Sequence, residues 1–324
     1  MRRLAARGER LTVGALPWVA PVYSAMPQVA EVIVLPFARG ALQFHARRAM
    51  ARQIKGRFDK AYVLPNSLKS ALLPALAGIA QRIGYLGEMR LGLLTQRLPN
   101  PKEKPPMVAF YSALSGEEHL EADRPRLQLA DPEIALALRA LGLQRGAYHV
   151  FAPGAEYGPA KRWPVAHFSE LAAQLALPVV LLGSDKDAAL CDAIAAPVNA
   201  ARPGQCTNLA GKTSLGQALC AIAATKSIVS NDSGLMHVAA AFGVPQVALF
   251  GSSSPLHTPP LNDKAVVLWL KTDASYQPPL DCAPCFQREC PLGAHQGRMR
   301  CLNDIRVAAV RQALQLPSAS GPPA

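Results

Sequence analysis

Aromatic residues make up only 6% of the 324 positions, and no apolar run reaches the ~20 residues that a membrane-spanning helix needs. The longest candidates are residues 71–80 and 244–250. The scarcity of aromatics weakens any reading as a single-strand nucleic-acid binder, which stacks bases on such rings. Acidic side chains are scarce as well: 22 Asp and Glu stand against 34 Lys and Arg, a formal net charge of +12. That imbalance points to a polyanionic partner, whether nucleic acid, an anionic membrane surface or a phosphorylated substrate. General solubility charge is the alternative. The excess concentrates before residue 110, in Arg47, Arg48, Arg52, Lys55, Arg57, Lys60, Lys69, Arg82, Arg90 and Arg97.

Familiar catalytic signatures are missing too. No G-x-G-x-x-G follows a strand, no G-x-x-x-x-G-K-[ST] is present and no G-x-S-x-G elbow appears, so dehydrogenase, P-loop and hydrolase readings lose their main support. There is no repeat of 20 to 50 residues. The opening Met1-Arg2-Arg3 resembles the start of a signal peptide, but Arg7, Glu9, Arg10, Pro17 and Pro21 interrupt the apolar stretch that would have to come next. A cytoplasmic protein is expected, and its seven cysteines are then thiols or metal ligands rather than disulfides.

What is present is an α/β pattern. Hydrophobic residues reach 50%, strand-like runs alternate with Ala/Leu-rich helical stretches, and the length suits two domains. Strands are expected at 11–16, 31–35, 60–64 and 79–84, with helices at 17–25, 43–57 and 71–77. Helical periodicity returns at 108–114 and 132–141, and Leu141 to Gly146 reads as the interdomain hinge. The second half restarts with strands at 148–152, 179–182, 206–209 and 246–250. The tail 316–324, rich in Pro, Ser and Gly, is expected to be disordered.

The stretch from Lys226 to Ala241 organises the rest. It opens as an apolar strand, turns through Asn231-Asp232-Ser233-Gly234, and continues as a small-residue helix that Gly243 and Pro245 stop. Such a turn aims unpaired N–H groups and the positive helix end at an anion. The simpler alternative is that Asp232 or Ser233 merely caps a buried helix. His237, on the first helical turn, and a second polar loop at 155–163 favour a ligand. Lys161 in that loop would neutralise a diphosphate, or else is an ordinary surface lysine. Asp185, after a strand, suits a ribose or adenine contact, or else caps the next helix.

Four segments carry a family resemblance. Residues 153–164 (Pro-Gly-Ala-Glu-Tyr-Gly-Pro-Ala-Lys-Arg-Trp-Pro) and 231–241 (Asn-Asp-Ser-Gly-Leu-Met-His-Val-Ala-Ala-Ala), with 62–72 and 84–90, resemble the signature segments of the ADP-heptose:lipopolysaccharide heptosyltransferases, glycosyltransferase family 9. The resemblance spans nearly the whole chain. It implies a GT-B fold, two Rossmann-like domains facing a central cleft: 1–145 for the acceptor, 146–315 for ADP-heptose. It implies an inverting transfer of L-glycero-D-manno-heptose from ADP-heptose to the first heptose of the lipopolysaccharide inner core, with no cofactor required. Carried over, Lys161 holds the diphosphate and stabilises the leaving group. Asp232, Ser233, Gly234, Leu235 and His237 line the phosphate and heptose end, with Glu156 and Tyr157 beside them. Asp185 and Thr213 fall at the ribose and adenine. Asn66, Lys69 and Arg90 are the acceptor residues, and the basic first half is expected to lie peripherally on the cytoplasmic face of the inner membrane, with Phe44 touching the bilayer.

One departure concerns the general base. Family members open with a strand and a Gly-Asp loop whose aspartate is the expected base, and the chain begins after that point. The expectation is a misassigned start or a truncation; the alternative is a catalytically impaired relative that still binds the nucleotide sugar. A basic nucleic-acid binder is a third reading, disfavoured because no groove-reading motif is visible. A second oddity is Cys282-x2-Cys285-x4-Cys290-x10-Cys301, which follows Asp281 and encloses His295. Its spacing suits a structural zinc clamp in the loop 281–301, with reduced thiols or an adventitious disulfide as the alternatives. Cys191, Cys206 and Cys220 read as core residues.

Overall fold

The computed structural model describes residues 1–38, 40–102, 105–116, 124–293 and 296–315. The chain forms two units, one from Met1–Ser24 and Gln28–Asp123, the other from Ala25–Pro27 and Arg124–Ala324. The expected tail and His295 lie outside the described residues.

In the first unit, β1 (Leu11–Ala15) and β2 (Val29–Val34) pair in parallel. A separate parallel sheet joins β3 (Lys60–Val63), β4 (Gln81–Tyr85) and β5 (Gln96–Leu98) in that order. The β1–β2 and β3–β4 crossovers pass through the helices Ala20–Ser24 and Leu68–Leu76, as parallel pairs require, whereas β4 reaches β5 through a helix-free loop. The helix Phe44–Ile54 buries Arg47, Met50, Ala51 and Ile54, one face at helical spacing. It packs with Phe37, Leu73, Ala77 and Ile79. Arg47 was expected on a basic surface. Instead its guanidinium lies 4.1 Å from the Phe37 ring and its Nε donates to the Leu42 carbonyl at 2.6 Å. Arg48 and Arg52 remain exposed on the opposite face.

The second unit holds six parallel strands: β6 (His149–Ala152), β7 (Val179–Leu181), β8 (Cys206–Asn208), β9 (Ser227–Asn231), β10 (Gln246–Leu249) and β11 (Ala265–Leu268). Their order is β11-β10-β9-β6-β7-β8. β7, β9 and β10 are buried along their whole length, as a parallel sheet covered on both faces requires. Trp163 is fully buried beside Phe168, its Nε1 donating to the Ile305 carbonyl at 2.9 Å, so the core of this unit reaches from the loop after β6 to the C-terminal helix Val307–Gln315.

The division falls earlier than the expected hinge. The helix Asp131–Leu141 buries Ile134 and Leu138, Leu127 N–H donates to the Ala241 carbonyl at 3.0 Å, and Gly146 N–H to the Ala224 carbonyl at 2.8 Å. Residues 124–145 therefore belong to the second unit. Gly142, at φ 67°, is the left-handed C-cap of that helix; it ends an element rather than joining two domains. β5 and β11 escaped the sequence reading, β5 because Gln-Arg-Leu has no period to detect and is held by pairing with β4.

Candidate functional site

From β6 the chain winds outward through β7 and β8, then crosses back to β9 and continues to β10 and β11 on the other side. The reversal leaves a crevice between the carboxyl ends of β6 and β9, the position where doubly wound sheets take ligands. One side chain organises it. Asn231, fully buried at the end of β9, accepts from the Trp163 N–H at 3.0 Å and donates through Nδ2 to the Pro153 carbonyl at 2.7 Å. A single amide thus pins both ends of the loop 153–163 to the neighbouring strand.

That staple brings the two expected ligand loops together. Lys161 Nζ stands 2.6 Å from Asp232 Oδ2, the side chains only 18% and 7% exposed. The carboxylate uses one of the ammonium's three donors and holds the charge at the tip of the helix Gly234–Phe242. Thr258 Oγ1 lies 3.5 Å from the other Asp232 oxygen. Ser233 occupies the N-cap position with no side-chain capping bond, and its hydroxyl is buried without a partner, as are those of Ser252 and Ser253 after β10. Buried hydroxyls without partners are rare; three of them, following β9 and β10, fit a polar or anionic ligand. Gly234 is exposed and Leu235 half-buried at the same tip.

His237 follows on the first turn. Burial lowers its pKa, Asp232 pulling the other way and Lys161 reinforcing the drop, so the ring is neutral at pH 7. His149, whose Nδ1 lies 2.8 Å from Ser227 Oγ, is lowered in the same sense by burial and by Lys226. As the pH falls below the ordinary imidazole value of about 6.5, the unfolded chain takes up protons before the folded one, and stability drops. The urea midpoint should therefore be lower at pH 5.5 than at pH 7.5, and His237→Gln should shrink the difference. A midpoint that rises on acidification would contradict this.

The remaining expected donor residues lie along the same edge. Tyr157 is exposed, its hydroxyl donating to the Phe286 carbonyl at 2.8 Å, and its ring lies 5.5 Å from Lys161 Nζ and 5.7 Å from the Arg288 guanidinium. Glu156 is exposed next to it. Ser184, not Asp185, caps the turn after β7, in a reciprocal arrangement with Asp187. Asp185 is left exposed, and Gly211 packs against its backbone, where a Cβ would come within 2.8 Å of the Asp185 Cα. Thr213 follows β8. β7 and β8 lie one and two places from β6, so Asp185 and Thr213 stand roughly 5 to 10 Å along the edge from the Lys161 crevice, about the reach of a nucleotide. Sequence reasoning missed Asn231's stapling, Thr258, Arg288 and Asp187. The last carries no mark in the sequence; only the fold brings Gly154 against it, where a Cβ would come within 2.6 Å of its carboxylate.

In the first unit, the segments 65–70 and 87–90 meet. Glu88 Oε2 accepts from the Leu68 N–H at 2.9 Å, capping the helix Leu68–Leu76. Arg90 is 1% exposed. Its guanidinium donates to the Pro65 carbonyl at 2.6 Å, to Asn66 Oδ1 at 3.2 Å and to the Tyr85 carbonyl. It therefore acts inward and shapes the Asn66 loop; Lys69, by contrast, is half-exposed. Arg90→Ala should lower stability by about 2 kcal/mol, the cost of buried acceptors left bare, and Arg90→Lys should not restore it because one ammonium cannot span three acceptors. Urea denaturation measures both.

The thiols divide into two sets. Cys191, Cys206 and Cys220 are buried, and burial pushes the first two up to about 12 and about 11, so they are inert. Cys282, Cys285, Cys290 and Cys301 line one cavity. Burial, with the other three thiols, pushes Cys301 up to about 12.

Residues 47–295 match the family description "Glycosyltransferase family 9 (heptosyltransferase)". The chain belongs to this family. Among its relatives, lipopolysaccharide heptosyltransferase 2 of Escherichia coli is 45% identical over 277 residues, 81% of this chain and 80% of that protein. Lipooligosaccharide heptosyltransferase 2 of Haemophilus influenzae is 39% identical over 80% of each. The solved structure of E. coli ADP-heptose LPS heptosyltransferase II superposes with a TM-score of 0.79 at 40% identity, covering 97% of this chain and 91% of that one. The heptosyltransferase fold is GT-B, as the resemblance implied, and both units carry its parallel sheets. No described helix is long and apolar enough to cross a membrane.

Proposed function

We propose that this heptosyltransferase moves a heptose from ADP-heptose to the heptose of a lipopolysaccharide inner-core acceptor, with inversion at the transferred carbon. The reading rests on one observation: Lys161, held by Asp232, stands at the side-chain-uncapped tip of the helix Gly234–Phe242. As the bond between the sugar carbon and the β-phosphate breaks, negative charge gathers on ADP and positive character on the sugar. An ammonium and oriented N–H groups fixed beforehand stabilise that charge without reorganising. The acceptor hydroxyl attacks from the opposite face and passes its proton to a base. Neutral His237 beside the phosphates offers a hydrogen bond without adding charge, while Asp185 and Thr213 take the ribose and adenine.

The second unit holds the donor and the first the acceptor, through Asn66 and Lys69. Since the acceptor is lipid-linked, the first unit works against the anionic cytoplasmic face of the inner membrane. Exposed Trp18, Leu42 and Phe44 accompany the exposed Arg48 and Arg52, the combination of apolar and basic groups that such a surface attracts. The test is ADP-heptose binding by calorimetry alongside transfer to a core acceptor ending in one heptose. Saturable binding with turnover is expected. Binding without turnover would make the chain a nucleotide-sugar-binding relative, and no binding would remove the donor-site reading altogether.

A further inference from the structure

From residue 273 to residue 293 the described chain contains no strand and no helix. A run of that length within a compact unit needs a tie other than backbone ladders. Two side chains supply part of one: Lys271 Nζ donates to the Leu280 carbonyl at 2.8 Å, and an Arg300 nitrogen to the Pro278 carbonyl at 2.9 Å. The other feature of the run is its sulfur. Cys282, Cys285, Cys290 and Cys301 line a single cavity of about 270 Å³ with Arg300, and all four are free thiols. The Met299 N–H points to Cys290 Sγ at 3.4 Å, an outer contact of the kind that aligns a ligating sulfur. Cys301 is seated against the end of β10, where a Cβ on Gly251 would come within 3.0 Å of its Sγ.

We propose that Cys282, Cys285, Cys290 and Cys301 form a structural tetrathiolate zinc site that ties the 273–293 run to the core and thereby braces the Lys161 loop. Four soft sulfur ligands from a clustered loop suit a closed tetrahedral Zn²⁺ site and disfavour hard cations. The ion enters as Zn²⁺, each thiol releases its proton to solvent on ligation, and no electron moves. Arg300 places a positive charge beside the anionic centre so formed. Among the described residues no three His, Cys, Asp or Glu side chains stand as a ready metal-binding group; the four sulfurs line the cavity walls, and ligation turns these thiol side chains inward while the backbone of the 285–290 segment keeps its bonds.

The bracing runs through the residues between Cys285 and Cys290. Phe286 N–H donates to the Ser252 carbonyl at 2.7 Å and Ala160 N–H to the Arg288 carbonyl at 3.1 Å. The Phe286 carbonyl accepts the Tyr157 hydroxyl at 2.8 Å. Fixing this segment fixes the loop that presents Lys161. Zinc binding stands by itself; only the effect on the donor rests on the function proposed above.

Full-length protein purified under reducing conditions is expected to carry about one zinc per chain by elemental analysis. Cys285→Ser and Cys290→Ser, neither at a fully buried position, should fall below about a tenth of that, and Cys220→Ser should keep its zinc. Stripping the wild type with a mercurial and chelator should lower Tm by roughly 5 °C or more and raise the KM for ADP-heptose, with readdition of zinc restoring both. Wild-type protein without zinc, a disulfide among the four in its mass spectrum, or equal zinc in the serine variants would overturn the site. Stoichiometric zinc whose removal leaves the donor KM unchanged would overturn the bracing. Absence of transfer altogether would leave the zinc measurement intact and count against the function alone.

Discussion

Lys161→Ala should cut heptose transfer by about 100- to 1,000-fold in kcat/KM, the range seen when one group that stabilises transition-state charge is removed. The structure adds a second effect. Asp232 is buried and pairs with Lys161 at 2.6 Å, so truncating the lysine strands a carboxylate, at a cost of about 3 kcal/mol. A loss of activity through unfolding must therefore be separated from a loss of chemistry. In the double variant Lys161→Ala, Asp232→Asn, the uncharged amide should recover most of the stability while transfer stays low. Arg126, exposed in the second unit, is the control; Arg126→Ala should transfer as the parent does. Steady-state rates and thermal melts on all four proteins decide the matter. Equal activity in Lys161→Ala and Arg126→Ala would remove the lysine from the site.

Gly158→Ala should lower kcat/KM by about 100-fold, the consequence of shifting a positioning loop by the order of an ångström. The added methyl would stand 2.3 Å from the Arg288 carbonyl oxygen, and that carbonyl also accepts the Ala160 N–H. Either the 285–290 segment or the loop carrying Lys161 has to move. Gly158 has an extended backbone, φ 162°, which alanine adopts freely, so the effect comes from contact alone. Gly92→Ala, with nothing within 4 Å of the new Cβ, should be neutral. Kinetics at saturating and limiting ADP-heptose would show the Gly158 defect; parental kcat/KM in Gly158→Ala would mean that the two loops separate without consequence.

Much of the second unit was legible from local pattern. Its β6, β7, β9 and β10 runs are largely apolar, and their bounding Gly, Pro, Ser and Asp residues mark the loops, because parallel strands buried on both faces leave that composition behind. The turn Asn231-Asp232-Ser233-Gly234 and the loop around Lys161 were likewise visible as polar breaks after strands. What stayed hidden was which of the conspicuous residues act outward. Arg90 and Arg47 read as surface cations, yet each guanidinium is turned onto carbonyls within its own unit. Asp185 reads equally well as a cap in sequence, whereas in the structure Ser184 and Asp187 cap the turn between them. Residues 124–145 read as part of the first unit because a helix's apolar face shows that something covers it without showing what.

From the sequence alone came the class of fold, the order of most strands and helices along the chain, the polar turn Asn231-Asp232-Ser233-Gly234, and the family of the chain. These depend on residues close together in sequence: periodicity, caps and short motifs. Tertiary structure alone decided that Lys161 is held by Asp232, that Asn231 staples its loop, that four thiols 19 residues apart at most share one cavity, and that Arg90 faces inward. Each of these is a contact between segments distant in the chain, and the register of the strands, rather than any local preference, sets which side chains meet at the sheet edge.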